Sequence, residues 1–210
     1  MTRAGRGPKR KTWLAVAAAT ASCVVALVVT STVIAAGSPA TAFAWFRAQS
    51  APQDWAVAET GNGSVLAFPR ALRLVRADPG ARSAQETAAA GAYVAYVNAT
   101  PWEAGPVPLS DWAASRRDEL SDDDRAVHVQ ARAAGLAFLG GARGSCVTDS
   151  YTSRAKAKRY RELACLIEAG NGRATVVVAA ASDYYWSKSL PMLEQVVEAF
   201  RAQSVSGGAS

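Results

Sequence analysis

The chain has 210 residues, of which 50% are hydrophobic and 19% are charged, and its formal net charge is +6. This length suits one globular domain of ordinary size, and the 6 Trp, 6 Tyr and 5 Phe exclude a wholly disordered chain. Five basic residues and no acidic ones lie in residues 1–42, so 18 basic and 17 acidic residues remain elsewhere. This near-neutral remainder gives no reason to expect a nucleic acid partner.

An uncharged stretch without Pro or Gly occupies residues 13–36, behind a basic tip at residues 1–12. As a helix it would be about 36 Å long, enough to cross a hydrocarbon core of about 30 Å. The positive charges before it predict a cytoplasmic N-terminus. We therefore expect one transmembrane helix that holds the chain in the cell membrane as a single-pass protein, with the rest of the chain outside the cytoplasm.

Two other interpretations of this leader stay open. Ala40-Thr41-Ala42 is a small-residue cleavage site, so a signal peptide could be removed and the protein secreted. A lipoprotein attached at Cys23 is the third interpretation, although Thr20 is a poor residue for the head of a lipobox and the apolar run continues past the Cys. All three place the residues from about 43 onward outside the cytoplasm.

The remaining chain divides by composition. Residues 37–53 contain small residues and two Pro, so we interpret residues 37–54 as a juxtamembrane spacer. Residues 55–202 carry the patterned segments of an exported domain, and residues 203–210 form a short polar tail.

Alternating and β-branched segments predict a series of strands in the exported domain. They lie at 65–68, 71–75, 92–98, 127–132, 145–152, 160–168 and 174–181. The last strand, apolar on both sides, is expected to be central. The Ala-rich segment 84–90 fits a short helix or a loop equally well. Runs of strands with helices set apart indicate an α+β fold with a mostly antiparallel sheet.

Two helices are predicted beside these strands. Ser110 is a good N-cap for a helix over about 111–120. A second helix is expected to start close to Pro191, because Leu193, Val196, Val197 and Phe200 form one apolar stripe.

The exported part contains two cysteines, Cys146 and Cys165, on consecutive predicted strands. An even number of cysteines outside the cytoplasm favours a disulfide, and neighbouring hairpin strands are a place where it could form. Two buried free thiols are the alternative.

Several loose patterns occur together in a characteristic order. They are Leu66-Ala67-Phe68-Pro69, Tyr160-Arg161-Glu162 at the head of a strand, the run to Ala181, and the stripe from Leu193 to Phe200. In this order the sequence resembles the PsbP-like α/β/α sandwich, shared by photosystem extrinsic proteins, a nuclear-import factor and exported actinobacterial lipoproteins of the LpqN type. The resemblance covers residues 55–202 and implies docking or ligand carrying, without a common set of catalytic residues. An Ala-rich composition is typical of an actinobacterial source.

One enzyme class is the alternative. Sortase-like cysteine transpeptidases combine a membrane anchor with a His, a later Cys and an Arg, and His128, Cys165 and Arg173 occur in that order. Against this, Glu162-Leu163-Ala164 replaces the Thr-Leu-x-Thr pattern before the Cys. A disulfide-bonded cysteine also cannot act as a nucleophile.

The remaining candidate site is aromatic. Tyr184, Tyr185 and Trp186 follow the predicted central strand and could line a ligand cleft or a docking surface, or else cap the core. The acidic run 122–124 lacks the spacing of a calcium loop, and no phosphate-binding, dinucleotide or zinc motif occurs, so we expect no metal and no cofactor. The sequence thus predicts a non-catalytic envelope module that binds a partner protein or a small apolar ligand.

Overall fold

The computed structural model describes residues 42–203. The elements in chain order are β1 (Ala56–Glu59), β2 (Val65–Phe68), β3 (Arg73–Val75), β4 (Arg82–Thr87), β5 (Tyr93–Trp102), α1 (Trp112–Asp123), β6 (Asp124–Ala137), β7 (Arg143–Ser153), β8 (Arg159–Glu168), β9 (Ala174–Ser182) and α2 (Asp183–Glu198). The basic tip, the predicted transmembrane helix at 13–36 and most of the tail lie outside the described residues. Among residues 42–203, no helix has the length and apolarity needed to cross a membrane.

The strands form one large antiparallel sheet of seven strands, in the order β3-β4-β5-β9-β8-β7-β6. The first two strands, β1 and β2, pair separately as an antiparallel hairpin. Strand β9 lies in the middle of the seven, as its apolar sequence predicts, and the α+β class is confirmed.

Each face of the sheet has its own apolar core, because alternate residues of β9 point to opposite sides. On the first face, Val177, Ala179 and Ala181 pack with Leu193, Val196, Val197 and Phe200 of α2. On the second face, Val176, Val178 and Ala180 belong to a smaller core built with Trp112 of α1. The sheet is therefore covered by one of these helices on each side.

The structure corrects three local predictions. Segment 84–90 contributes most of a strand, β4, rather than a helix or loop. Helix α2 begins at Asp183, directly after β9, so Pro191 lies inside the helix and not near its start. The N-cap of α1 is Asp111, while the Ser110 hydroxyl donates to the Asp111 carboxylate (Oγ to Oδ1, 3.0 Å). In α2, burial of the apolar stripe outweighs the hydrogen bond that Pro191 cannot donate.

The first described residues, which the sequence interpretation places in the spacer, pack onto the domain. Phe43 and Phe46 are buried in the main core, and the Phe46 ring lies 4.8 Å from that of Phe138. Glu198, at the end of α2, accepts hydrogen bonds from the Arg47 amide (2.9 Å) and from the side chain of Gln49. The folded domain therefore includes residues that precede position 55.

Cys146 and Cys165 are opposite each other on β7 and β8 and form the predicted disulfide. Both are completely buried within the main core. The bond ties β7 to β8, and its two cysteines are 19 positions apart in the sequence.

We expect the double substitution Cys146→Ala and Cys165→Ala to lower the free energy of unfolding by roughly 3 kcal/mol, because the disulfide restricts the unfolded chain. Urea denaturation with and without reductant measures this. With reductant present, parent and variant should unfold at similar urea concentrations. A parent that is equally stable in both conditions would contradict the disulfide.

Replacing Phe46 by Ala should lower the free energy of unfolding by about 3 kcal/mol, because it leaves a cavity in the main core. Val57→Ala is the matched control, because the Val57 side chain is largely exposed, and should leave stability nearly unchanged. Thermal denaturation of both variants measures the difference. If Phe46→Ala were as stable as Val57→Ala, residues 43–49 would not be part of the folded domain.

Candidate functional site

Helix α1 is fixed to the second face of the sheet by its first residue. The Trp112 indole is fully buried and its Nε1–H donates to the carbonyl of Ala164 on β8 at 3.0 Å. The Trp112 ring also meets that of Trp102 edge to face, with 6.0 Å between centroids. The helix itself lies against β6 and β7, and the part of the face over β5 and β9 is more open.

One turn further along α1, Arg116 joins two carboxylates. Its Nε donates to Glu162 Oε1 on β8 at 2.7 Å, and its Nη1 donates to Glu119 Oε2 at 2.9 Å. Glu162 is almost fully buried, with 1% of its side chain exposed. Burial by itself would lower the pKa of Arg116, but the charge of Glu162 raises it above its ordinary value. Arg116 is therefore a permanent cation held by two anions.

Asp149 lies beside this ion pair, because it is the cross-strand partner of Glu162. Its carboxyl group is fully buried, and neither oxygen has a hydrogen-bond partner among the described residues. Burial raises the pKa of Asp149 to about 9, and the negative charge of Glu162 contributes to the rise. Asp149 is thus protonated and uncharged near neutral pH.

Four tyrosines form a continuous series of ring contacts at the same end of the second face. The rings of Tyr96 and Tyr93 are stacked at 5.2 Å, Tyr93 and Tyr160 are 5.6 Å apart, and Tyr160 and Tyr151 are 5.9 Å apart. Burial raises the pKa of Tyr96 and of Tyr151, so these phenols stay protonated. The Lys156 ammonium sits over the Tyr93 ring, 3.7 Å from its centroid.

A cleft of about 380 Å³ opens between these tyrosines, α1 and the strands β5 and β9; we call it the tyrosine cleft. Its lining combines an apolar floor, aromatic walls, two neutral polar side chains and four ionisable ones. The lining residues are Val176, Val178, Ala180, Tyr93, Tyr96, Trp102, Tyr151, Asn98, Thr100, Asp78, Arg116, Glu119 and Glu162. The volume is in the range of small-molecule sites, and so is the mixture of apolar surface with a few polar groups.

The structure does not bring together the transpeptidase set. Cys165 is disulfide-bonded and buried, whereas His128 is exposed on the edge strand β6. Ser150 pairs with both His128 and Arg161, so His128 lies two strands across and four residues along from Cys165. Strand geometry makes that separation on the order of 15 Å, far beyond hydrogen-bond reach. Arg173 lies at the turn between β8 and β9.

Helix α2 places the three residues of the predicted aromatic group, 184–186, in different environments. Trp186 is buried in the main core, while Tyr184 is 86% exposed and Tyr185 is half-buried. The two tyrosine rings meet edge to face at 4.8 Å. None of the three lines the tyrosine cleft, so a ligand-binding or docking role for them stays a prediction.

The acidic run 122–124 is joined by hydrogen bonds to a basic loop at residues 154–158. Arg154 donates from its amide to Asp124 Oδ1 and from Nη1 to the Asp122 carbonyl, at 3.1 and 2.8 Å. Within residues 42–203, no group of three or more His, Cys, Asp or Glu side chains has a geometry that could hold a metal ion.

Sequence reasoning missed the residues that form the tyrosine cleft. A weak signal was present, because Glu162 is a charged residue directly before the apolar run 163–167 of its strand. Arg116 lies on a helix with charged residues on either side and had no feature that distinguished it. Only the pairing of β7 with β8 brings Asp149 and Glu162 together.

Comparisons with known proteins give a likeness of fold. Neither a scan against protein-family models nor a search of curated proteins gives a match. Among solved structures, the chain is similar to PA94 of Pseudomonas aeruginosa, a protein of unknown function, with TM-score 0.50 and 11% identity over 72% of this chain and 99% of that one. It is also similar to LpqN of Mycobacterium tuberculosis, involved in cell envelope biogenesis, with TM-score 0.46 and 16% identity over 70% and 89% of the two chains. At such low identity the likeness to PA94 concerns the fold alone.

The raised pKa of Asp149 predicts how stability depends on pH. The folded protein binds this proton more tightly than the unfolded chain, so the contribution of Asp149 to stability is fully present below about pH 4 and is lost progressively as the pH rises towards 9. Asp149→Asn removes the charge, so its stability relative to the parent should grow by on the order of 5 kcal/mol between pH 4 and pH 8.

Chemical denaturation of parent and variant across this pH range measures the effect. Glu103→Gln is the matched control, because Glu103 is exposed. It should follow the parent at every pH. Identical pH profiles for parent and Asp149→Asn would show that Asp149 does not carry a raised pKa.

Proposed function

We propose that the chain is a non-catalytic binding module of the cell envelope that takes a small molecule in the tyrosine cleft. The observation that carries the proposal is the cleft itself, with its volume of about 380 Å³. Val176, Val178 and Ala180 offer an apolar floor, while Asn98 and Thr100 offer hydrogen-bonding groups. This lining suits a ligand with an apolar body and at least one polar group.

The accessibility of the reactive groups supports a non-catalytic role. The Asp149 carboxyl cannot reach a bound molecule because both its oxygens are buried. Glu162 is held by Arg116, and both cysteines of the domain are in the disulfide. Acid–base catalysis requires a group within hydrogen-bond distance of the reacting atom, and these groups are already occupied or covered.

The proposed location of the folded domain is the outer side of the cell membrane, to which residues 13–36 would tether it. The uncharged leader supports the tether, and the buried disulfide is typical of oxidising compartments. The PsbP-like resemblance agrees with a ligand-carrying role.

The proposal is tested by isolating the full-length protein from membranes of its own host and recording native mass spectra. We expect a bound small molecule on the parent. Thr100→Trp should abolish it, because the indole would fill the cleft without entering either core. Gln130→Trp is the matched control: it places the same side chain on an exposed position of β6 and should retain the ligand.

Equal thermal stability of the two variants would show that the loss is not caused by unfolding. Recovery of the parent from the soluble fraction would contradict the tether. A parent that carries no small molecule would contradict the proposed binding role.

A further inference from the structure

Acidic residues outnumber basic residues in the lining of the tyrosine cleft. Asp78, Glu119 and Glu162 are acidic, and Arg116 is the one basic residue in the lining. Because Arg116 already donates to both Glu119 and Glu162, no unpaired cation in the lining is left to receive an anionic ligand. Charge complementarity therefore disfavours an anion in the tyrosine cleft and favours a cation.

The walls of the cleft have the chemistry that holds organic cations. The face of an aromatic ring carries negative electrostatic potential, so it attracts ammonium groups within about 6 Å of its centroid. Tyr93, Tyr96, Tyr151 and Trp102 all contribute to the lining. Since Tyr96 and Tyr151 are kept neutral by burial, their attraction for a cation comes from the rings themselves.

An ammonium group of the protein itself lies over one of these rings. Lys156 extends from the β7–β8 loop and places its Nζ 3.7 Å from the centroid of Tyr93. Lys156 is exposed and does not itself line the tyrosine cleft. The contact demonstrates within the molecule that a ring of the cleft wall accepts an ammonium.

We infer that the ligand of the tyrosine cleft is a small organic cation, an ammonium group attached to an apolar body. This inference rests on the proposed function, since it names the chemical class of the ligand in the same cleft. The apolar body would lie on the floor formed by β9, and the ammonium would lie against the tyrosine rings and the acidic side chains.

The test compares choline with 3,3-dimethylbutan-1-ol, which has the same shape without the charge. Binding to the full-length protein in detergent is measured by ligand-observed nuclear magnetic resonance. We expect choline to bind about fivefold more tightly than the neutral alcohol, or more. Thr100→Trp should abolish the binding of both probes.

Two variants assign the preference to the aromatic wall. Tyr93→Leu should lose the preference for choline while it still binds the neutral alcohol, and Tyr93→Phe should keep it, because the ring is retained. Lys188→Ala, on the exposed surface of α2, is the matched control and should bind choline as the parent does.

The possible failures are distinguishable. Equal affinity for choline and 3,3-dimethylbutan-1-ol, with Thr100→Trp still blocking both, would overturn the cationic class and leave the binding role intact. If no probe binds and the protein isolated from membranes carries no small molecule, the inference and the proposed function fall together.

Discussion

The structure depends on the burial of β9 from both sides. The strand runs through the middle of the sheet, and from Val176 to Ala181 every residue is at least nine-tenths buried. A half-buried strand alternates apolar and polar residues, whereas a strand covered on both faces must be apolar throughout. This requirement brings α2 to one face and α1 to the other. Small side chains such as Ala179 and Ala180 let the helices approach closely, and the disulfide ties the neighbouring strand β8 to β7.

The candidate site forms because the two helices that cover the faces of the sheet differ from each other. Helix α2 is long, carries a broad apolar stripe and seals the first face together with residues 43–49. Helix α1 is shorter and charged, and it is held mainly by Trp112 and by the Arg116–Glu162 pair. The second face is therefore only partly covered, and the tyrosine cleft forms over β5 and β9. Burying an ion pair is costly, and removing one partner costs more than the pair contributes, so α1 and β8 must keep both charges.

The elements that sequence reasoning located best are those whose signal is local. Strands β7, β8 and β9 and the hairpin turns between them follow from β-branched runs and from Gly-containing turns, because these features act over a few residues. Only the second half of helix α2 was predicted. Pro191 is a local signal for the start of a helix, but the packing of Trp186 and Leu193 outweighs that signal and the helix starts earlier. The inclusion of Phe43 and Phe46 in the core was not predictable, because their partner Phe138 is far along the chain.

By itself, the sequence determined the class of fold, the central position of β9, the pairing of Cys146 with Cys165 and the expectation of a membrane leader, since each of these follows from composition or short-range periodicity. The tertiary structure alone decided the site. Asp149, Glu162 and Arg116 lie on three different elements, and their burial, charge and mutual contacts exist only after β7 pairs with β8 and α1 packs across them. The spacing of these residues along the chain does not predict that they are in contact. Contacts across a sheet depend on the register of the strands, and contacts of a helix depend on which of its faces packs against the sheet.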